Sequence, residues 1–295
     1  MKAPDEVNPT YVAWEDVRRA CGARAAGMPP AAPGLFVCGS LEGLGRPCVA
    51  IVGTRAASRA GQSLTQQVAS QLSRAGACII SGLALGIDAA AHEGALFGGG
   101  PTIGILGGGH DRFFPPRNRS LANRMLEAEG AVCSPYERER PALPFQFLER
   151  NSVVAALADA LVVVEAPSRS GALNTAAWAA GRIPVLVFPG DVDRRSVSGC
   201  LALIRDGATL VRDAADILAE LRLEAQAQPL LPLQQFEPSD PVEEQLLGAL
   251  QSEPLSSDQL IAQTGCSAPA VLAAVSRMEL GGIIERRDGG TFALR

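Results

Sequence analysis

Residues 51–62, IVGTRAASRAGQ, have the composition of a turn that binds a phosphate. An apolar run leads into Gly53, Thr54 and Arg55, and Ser58 stands where a helix is predicted to begin. Glycine lets a ligand approach the backbone, N–H groups at a helix N-terminus attract an anion, and arginine binds phosphate through two donors. The segment lacks the G-x-G-x-x-G pattern of a dinucleotide site and the lysine and serine that end a P-loop. It therefore predicts an anion-binding turn of another kind.

Further glycine- or hydroxyl-rich turns follow other apolar runs of the chain. They contain Ser81 and Gly82, Gly107 and Gly109, Ser170, Gly171 and Thr175, and the sequence PGD at 189–191. Each turn alone is also compatible with a simple connection between a strand and a helix. Because all of them would meet at one edge of a parallel sheet, together they favour a shared anion-binding groove.

Arginine and phenylalanine are concentrated in two irregular stretches, DRFFPPRNR at 111–119 and YERERPALPFQFLERN at 136–151. Arginine supplies phosphate contacts, and a phenylalanine ring supplies a face on which an unpaired base can stack. A solvated loop with its rings packed underneath has the same composition. The two stretches therefore predict either a nucleic-acid groove or such a loop.

The sequence has few residues whose type and spacing suit catalysis. Asp88, Glu165 and Asp191 lie near the ends of predicted strands, but no two carboxylates have the spacing of a metal site or an acid–base pair. Glu165 is equally suited to pairing with an arginine and to catalysis. The chain has only two histidines, and its seven cysteines form no C-x-x-C pair. The signal for catalysis is therefore weak, and we expect no metal site and cysteines that are buried as thiols.

These residues must be positioned by an alternation of apolar β-branched runs and helical segments. The predicted strands are 35–39, 48–53, 77–82, 102–106, 131–134, 160–166, 184–188 and 208–211. Helical spacing between them is clearest at 63–76 and 174–182. Near-continuous apolar strands separated by helices are typical of a parallel sheet covered on both faces. The fold class is therefore α/β, a doubly wound and mostly parallel sheet with ligands at the carboxyl ends of its strands.

The chain divides into four predicted segments. Residues 1–34 form a short N-terminal extension with a weak helical signal at 11–25, and residues 35–223 form the α/β domain. Residues 224–240 have the composition of a linker. Residues 241–295 predict three helices and a hairpin that turns at Gly289–Gly290, which is the winged-helix pattern. Arg277 is the only base of the third helix, so protein interaction or packing is favoured over binding in a DNA major groove.

Composition limits the class of protein. The 295 residues carry a net charge of −5, which argues against wholesale electrostatic binding to nucleic acid but allows a local basic groove. All basic residues except Lys2 are arginine, as suits phosphate contact and also a GC-rich genome. No apolar run reaches the roughly 18 to 20 residues of a membrane span, and the N-terminus lacks the apolar stretch of a signal peptide. We expect a cytoplasmic protein.

A series of motifs in this order resembles the DprA (DNA processing A, also called Smf) family across residues 35–222. The motifs are IVGTR, SGLALGIDAAAHEGAL, TIGILGGGHDRFFPPRN, FLERN, VVVEAPSRSGALNTAAWA, VFPGDVD and LIRDGATLV. The segment SGLALGID is highly specific for that family, and the C-terminal unit resembles the accessory winged-helix (DML1-like) domain that many members carry.

The resemblance implies an extended Rossmann-like fold that binds single-stranded DNA rather than a nucleotide cofactor, in a protein that is not an enzyme. It also implies a homodimer that protects incoming single strands during natural transformation (competence) and helps to load the RecA recombinase onto them. By position, Arg55 would be the main phosphate contact and Phe147 would stack on a base. The single-stranded DNA contacts implied are Gly53, Thr54, Arg55, Ser81, Gly82, Gly107, Gly109, Asn118, Phe147, Arg150, Asn151, Ser170, Gly171 and Thr175.

Three positions depart from the family pattern, at Leu85, Ser152 and Leu201. At the first two the family often has arginine, and at the third it has asparagine, so the departures predict a weaker or relocated phosphate contact.

Two other interpretations stay open. One is a nucleotide-processing enzyme of the phosphoribohydrolase type, whose P-G-G-x-G-T-x-x-E loop is not present here. The other is a structural partner protein with an unused groove.

Overall fold

The computed structural model describes residues 8–21, 33–221, 240–250, 254–280, 283–286 and 290–294. Its internal contacts divide the chain into two compact units, Met1–Gln226 and Ala227–Arg295. The predicted linker lies almost entirely outside the described residues, as do Gly289 and most of the predicted N-terminal extension.

The first unit is built on one mostly parallel sheet of nine strands, in the order β1-β2-β6-β5-β4-β3-β7-β8-β9. Its strands are β1 (Thr10–Ala13), β2 (Gly34–Gly39), β3 (Cys48–Val52), β4 (Cys78–Ser81), β5 (Thr102–Ile105), β6 (Ala131–Ser134), β7 (Ala160–Val163), β8 (Val185–Val187) and β9 (Thr209–Leu210). The strands from β6 to β9 in that order are parallel, whereas β1 pairs antiparallel with β2 and β2 antiparallel with β6.

Helices cover both faces of this sheet. They are α1 (Trp14–Cys21), α2 (Arg59–Arg74), α3 (Ile87–Gly98), α4 (Arg119–Glu127), α5 (Pro144–Ala156), α6 (Gly171–Ala179), α7 (Ser198–Arg205) and α8 (Ala214–Glu220). Alternate residues of β3 contribute to opposite faces: Ala50 packs in the cluster with α1, α5 and α6, and Ile51 packs in the cluster with α2, α3 and α8. Two buried faces explain why the strands have continuous rather than alternating apolar sequence.

The predicted doubly wound fold is confirmed, and a strand is found in each predicted strand segment. The prediction is incomplete near the start of the chain, where the segment 11–25 was expected to be helical. The structure has β1 there, followed by α1. Tyr11 pairs in register with Phe36 of β2, and their rings stand 5.2 Å apart. Helical spacing could not reveal this strand, because its partner lies more than twenty residues along the chain.

Six of the seven cysteines are buried as free thiols, and Cys266 is half-buried. Burial raises the pKa of the thiols of Cys38 and Cys200 to about 11, which leaves them protonated at neutral pH. The expectation of buried, reduced thiols agrees with this placement.

The second unit consists of three helices and a small sheet. They are α9 (Pro241–Leu250), α10 (Ser257–Thr264) and α11 (Ala268–Leu280), with β10 (Leu255–Ser256), β11 (Ile284–Arg286) and β12 (Thr291–Leu294) in the order β10-β12-β11. The hairpin strands β11 and β12 pair as predicted, and β10 adds a third strand that the sequence did not reveal. On α11, Arg277 donates from Nε to Glu243 at 2.8 Å and also contacts Asp240. Its charge is thus shared with two carboxylates, which disfavours a phosphate contact.

Within the described residues, no helix combines the length and the apolar character that a bilayer crossing requires.

Candidate nucleic-acid interface

A cleft lies at the carboxyl ends of β3 and β7. The strand order reverses at this point, because β3 has β4 on one side and β7 on the other. Ligands of doubly wound folds bind at such a reversal. The cleft has a volume of about 630 Å³ and lies among the turns after β3, β4 and β7 and the helices α5 and α6.

Most of the predicted site residues line this cleft. They are Gly53, Thr54, Arg55, Gly82, Phe147, Arg150, Asn151, Ser170, Gly171 and Thr175. The structure adds residues that the list from the sequence did not contain, notably Asp88, Phe114 and Arg169. Phe114 is one of the four phenylalanines in the stretches 111–119 and 136–151, but composition could not show which of the four lines the cleft.

The turn that carries Arg55 is anchored to the end of β7 by Glu165. The backbone N–H of Thr54 donates to the carbonyl oxygen of Glu165 at 2.6 Å. The carboxylate of Glu165 accepts from the N–H of Ser58 at 2.9 Å, from its hydroxyl at 2.7 Å, and from Arg194 at 2.9 Å. The Ser58 hydroxyl in turn caps α2 by accepting from the N–H of Gly61. Of the two roles left open for Glu165, the structure shows pairing with an arginine.

A second turn, at residues 82–88, packs against the first. The carboxylate of Asp88 accepts from the N–H of Gly82 at 3.1 Å and from the N–H of Ala84 at 3.4 Å. Gly86 has a φ of 79°, and a Cβ there would stand 2.4 Å from the carbonyl oxygen of Thr54. Only glycine allows this approach, so the two turns are held together at their backbones.

Arg150 lies beneath the cleft rather than at its surface. Its side chain is buried, donates to the carbonyl oxygen of Ile105, and packs against the backbone of Gly82. Burial lowers the pKa of Arg150 to about 10, and the charge of Asp88 opposes that shift, so the guanidinium stays protonated at neutral pH. Burial raises the pKa of Asp88, opposed first by Arg150. Arg150 therefore contributes a buried positive charge to the cleft, and its contact with single-stranded DNA stays a prediction.

Four predicted residues do not line the cleft: Ser81, Gly107, Gly109 and Asn118. The hydroxyl of Ser81 donates to the carbonyl oxygen of Ile51 at 2.6 Å inside the sheet. The N–H of Gly109 donates to the carbonyl oxygen of Arg140. The sequence shows that these residues follow strands and therefore lie near the edge of the sheet. It does not show which of their hydrogen-bonding groups are already bonded to other segments of the protein.

Asn118 contacts the turn at 82–88 through its side-chain amide. Its side-chain Nδ2 donates to the carbonyl oxygens of Leu83 at 2.8 Å and Ala84 at 3.0 Å. Leu83 has a φ of 55°, a left-handed conformation that a leucine adopts at a cost of about 1 to 2 kcal/mol. Asn118 helps to keep the backbone of the turn at 82–88 in place, and its contact with single-stranded DNA stays a prediction.

The N-terminus of α6 closes the other end of the cleft. Ser170 is its N-cap residue and its hydroxyl is buried without a hydrogen-bond partner among the described residues. The side chain of Asn151 donates to the carbonyl oxygen of Gly171 at 3.1 Å and to Asn174 at 3.2 Å. The free N–H groups and the positive dipole end of this helix favour an anion.

Two exposed arginines, Arg55 and Arg169, stand at the cleft. The guanidinium of Arg55 lies 5.0 Å from the centroid of the Phe147 ring, and no salt bridge to Arg55 occurs in the described part of the chain. The described residues also contain no group of three His, Cys, Asp or Glu side chains that could hold a metal ion. The cleft combines exposed positive charge, a helix N-terminus and aromatic rings, which suits a phosphate chain carrying unpaired bases.

Comparison with known families agrees with this chemistry. The family model described as DNA recombination-mediator protein A matches residues 21–222, and the one described as DprA winged helix domain matches residues 224–290. The chain belongs to the DprA family. It therefore functions in DNA processing as a recombination mediator, and its second unit is the winged-helix domain.

DprA relatives from several bacteria are similar to the chain. Protein Smf of Synechocystis is 32% identical, with 99% of this chain and 79% of that protein covered. A putative DprA of Mycobacterium tuberculosis is 36% identical, with 83% of this chain but only 64% of the relative covered.

Two solved DprA structures share the fold. That from Streptococcus pneumoniae is 36% identical with a TM-score of 0.66 and covers 72% of this chain and 74% of its own. That from Helicobacter pylori is 29% identical with a TM-score of 0.60, covers 67% of this chain and 90% of its own, and is described for its unique single-stranded DNA binding mode.

The departures from the DprA motif pattern lie away from the lining of the cleft. Ser152 is buried in α5, and its hydroxyl donates to the carbonyl oxygen of Glu149 at 2.6 Å. Leu201 packs at the edge of an apolar cluster, and Leu85 belongs to the turn at 82–88 without lining the cleft. The loss of affinity expected from these positions stays a prediction.

The anchoring role of Glu165 gives a stability prediction. In the variant Glu165→Gln the amide cannot accept all three hydrogen bonds and leaves Arg194 without its charge partner. We expect the free energy of unfolding to fall by about 1 to 3 kcal/mol, measured by urea denaturation. The matched control is Glu93→Gln, because Glu93 pairs with Arg124 at the surface, where such a pair contributes about 0 to 1 kcal/mol. Equal stability of the two variants would contradict the anchoring role.

Proposed function

We propose that this chain acts as a recombination mediator by binding single-stranded DNA in the cleft between the turns after β3 and β7. The observation that carries the proposal is the position of the Arg55 side chain. Its guanidinium is exposed at a topological switch point, on a turn held rigidly by Glu165, and faces a cleft closed by the N-terminus of α6. Fixed donors and an exposed charge at such a place favour a phosphate.

The rings in the cleft favour a single strand over a duplex. Phe114 and Phe147 both line the cleft, and Phe114 is 48% exposed. A ring stacks on a base only where the face of that base is free, as in an unpaired strand. The single-stranded DNA binding described for the H. pylori relative supports the same assignment.

We further propose that the cleft binds without catalysing a reaction. Its two nearby carboxylates are already engaged, Asp88 by backbone N–H groups and Glu165 by Ser58 and Arg194. A carboxylate used in this way is poorly placed to take a proton from a substrate. Release of base from a nucleoside monophosphate by the purified protein would instead support the phosphoribohydrolase interpretation.

The proposed partner is the RecA recombinase, in the cytoplasm. A protein that holds a single strand at one cleft leaves the rest of that strand open to a recombinase. We expect the protein to shorten the lag before RecA hydrolyses ATP on single strands coated with a single-strand-binding protein. An unchanged lag would remove RecA from the proposal and leave the DNA site in place.

We propose that the chain works as a homodimer. Among the strands that the structure describes, β9 has a neighbour on one side only, and Leu210 on it is 46% exposed. Such an edge offers unpaired backbone groups and an apolar side chain to a second copy. Light scattering is expected to give twice the 30.6 kDa mass of one chain.

The direct test of the DNA site is Arg55→Ala. We expect weaker binding to a single-stranded oligonucleotide, because one phosphate contact and its counterion release are lost. The slope of log K against log salt should fall in magnitude by about 0.7. Fluorescence anisotropy across a salt series measures both quantities, with a duplex of the same sequence as the comparison.

The matched control is Arg182→Ala. It removes the same charge from an exposed position just before β8, at the amino ends of the parallel strands and thus opposite the cleft. We expect wild-type affinity and slope for this variant. Equal losses in the two variants would mean that binding follows overall charge, and the cleft would not be the site.

A further inference from the structure

The outer faces of α2 and α3 form a groove that the proposed DNA site does not use. This α2–α3 groove has a volume of about 490 Å³. Its lining from α2 is one face of the helix, at spacings of three and four: Ser63, Gln66, Gln67, Ser70, Gln71 and Arg74. Of the residues that the structure describes, none lines both this groove and the cleft. The groove is therefore a separate feature of the first unit.

The two helices of the groove are packed backbone to backbone. A Cβ at Gly94 of α3 would stand 2.4 Å from the carbonyl oxygen of Gln66, and one at Gly98 would stand 2.6 Å from that of Ser70. Only glycine allows such an approach. The surface made by α2 and α3 is therefore rigid and formed before any partner binds.

The outer face of α2 has an unusual distribution of charge. The helix contains no carboxylate, and its charged residues are Arg59 and Arg74, at its two ends. On α3, Glu93 lines the groove and pairs with Arg124. Exposed helices of soluble proteins commonly carry charges on their outer face, whereas the centres of protein interfaces are depleted of charge and enriched in aromatic residues and arginine. The composition of this face is that of an interface.

Two groups at the groove lack the environment that they would have in a completed protein surface. Phe97 is 78% exposed, and its ring is covered only in part by Arg74, whose Cζ lies 5.4 Å from the ring centroid. The hydroxyl of Ser70 lines the groove and is buried without a hydrogen-bond partner among the described residues. Buried polar groups are nearly always bonded. A second protein surface laid on the groove would cover the ring and bring polar groups to the hydroxyl.

The chemistry of the groove fits a second copy of this chain. A glutamine amide both donates and accepts, so the identical stripes formed by Gln66, Gln67 and Gln71 can bond to each other. A two-fold axis also sets each residue of a patch against another residue of the same patch, so the projecting ring of Phe97 can enter the hollow of the other copy. Two chains of net charge −5 repel each other, and a face without a free carboxylate minimises that repulsion.

We propose that the α2–α3 groove is a contact between two copies of the chain, distinct from the β9 edge. None of its lining residues belongs to β8, β9 or α8. The helix α2 runs from the carboxyl end of β3 back to the start of β4, so Arg74 and Phe97 lie at the end away from the cleft. The contact leaves the cleft open, and together with the β9 contact it joins dimers into larger assemblies.

The size of the face makes this contact a weak one. The 16 residues of α2 span about 24 Å. Two adjacent helices of about this length and roughly 10 Å width bury on the order of 1,000 Å² over both copies, which is below the roughly 1,200 Å² at which stable complexes begin. The contact is effective where copies are held close together, because tethering raises their effective concentration.

The experiment measures the mass of the full chain by sedimentation equilibrium across a concentration series, without DNA. We expect wild type to exceed the mass of two copies at high concentration. The variant Gln71→Glu puts like charges into the contact and should weaken this association by on the order of tenfold. The matched control is Gln62→Glu, because Gln62 is exposed on the same helix but does not line the groove. It adds the same charge and should associate as wild type does.

The variant Leu210→Asp separates the two contacts between copies. It removes the proposed β9 contact, and we expect a weak equilibrium between one and two copies to remain. Adding Gln71→Glu should leave single chains at every concentration. A wild type that never exceeds two copies and a Leu210→Asp variant that is always a single chain would overturn the α2–α3 contact and keep the β9 dimer. Equal behaviour of Gln71→Glu and Gln62→Glu would also overturn it.

A DNA measurement checks that the α2–α3 contact is separate from the proposed single-strand site. Gln71→Glu should bind a short oligonucleotide that holds one copy with wild-type affinity, and circular dichroism confirms its folding. Weaker binding to the short oligonucleotide would place the groove in the DNA site and overturn the proposal. Absence of single-strand binding by wild type would overturn the proposed function, while the sedimentation results would still decide the contact between copies.

Discussion

The carboxylate of Glu165 links the turn after β3 to the end of β7, at the point where the cleft opens. It accepts from the backbone and hydroxyl of Ser58 and from Arg194, while its own carbonyl oxygen accepts from Thr54. The turn that carries Arg55 is thereby fixed to the end of β7 before any ligand is present. A turn fixed in advance loses little conformational entropy on binding, which favours the proposed role of Arg55.

The distribution of charge explains how an acidic protein can bind an acidic polymer. The chain has a net charge of −5, yet the carboxylates of Asp88 and Glu165 at this edge are occupied by internal partners. Arg150 and Asp88 lie buried under the cleft, and Arg55 and Arg169 remain exposed at its surface. The local field is thus set by the exposed arginines and the N-terminus of α6, and it acts over roughly a Debye length of 8 to 10 Å.

The strand segments and the doubly wound class could be predicted because continuous apolar runs between helical segments allow few other folds. Most of the cleft residues could be predicted because parallel strands bring their carboxyl ends to one edge. Sequence could not show that the side-chain amide of Asn118 bonds the turn at Leu83 and Ala84. Nor could it show that Arg55 covers Phe147 or that β1 pairs with β2, because these contacts join segments far apart in the chain.

Hydrogen–deuterium exchange in the presence and absence of a single-stranded oligonucleotide tests most directly whether the cleft is the DNA site. The backbone amides at 53–58, 82–88 and 170–175 are expected to exchange more slowly with the oligonucleotide bound, because the strand covers the turns that carry them. The helices α10 and α11 of the winged-helix unit should be unchanged. Protection confined to α10 and α11, with the three turns unaffected, would contradict the account.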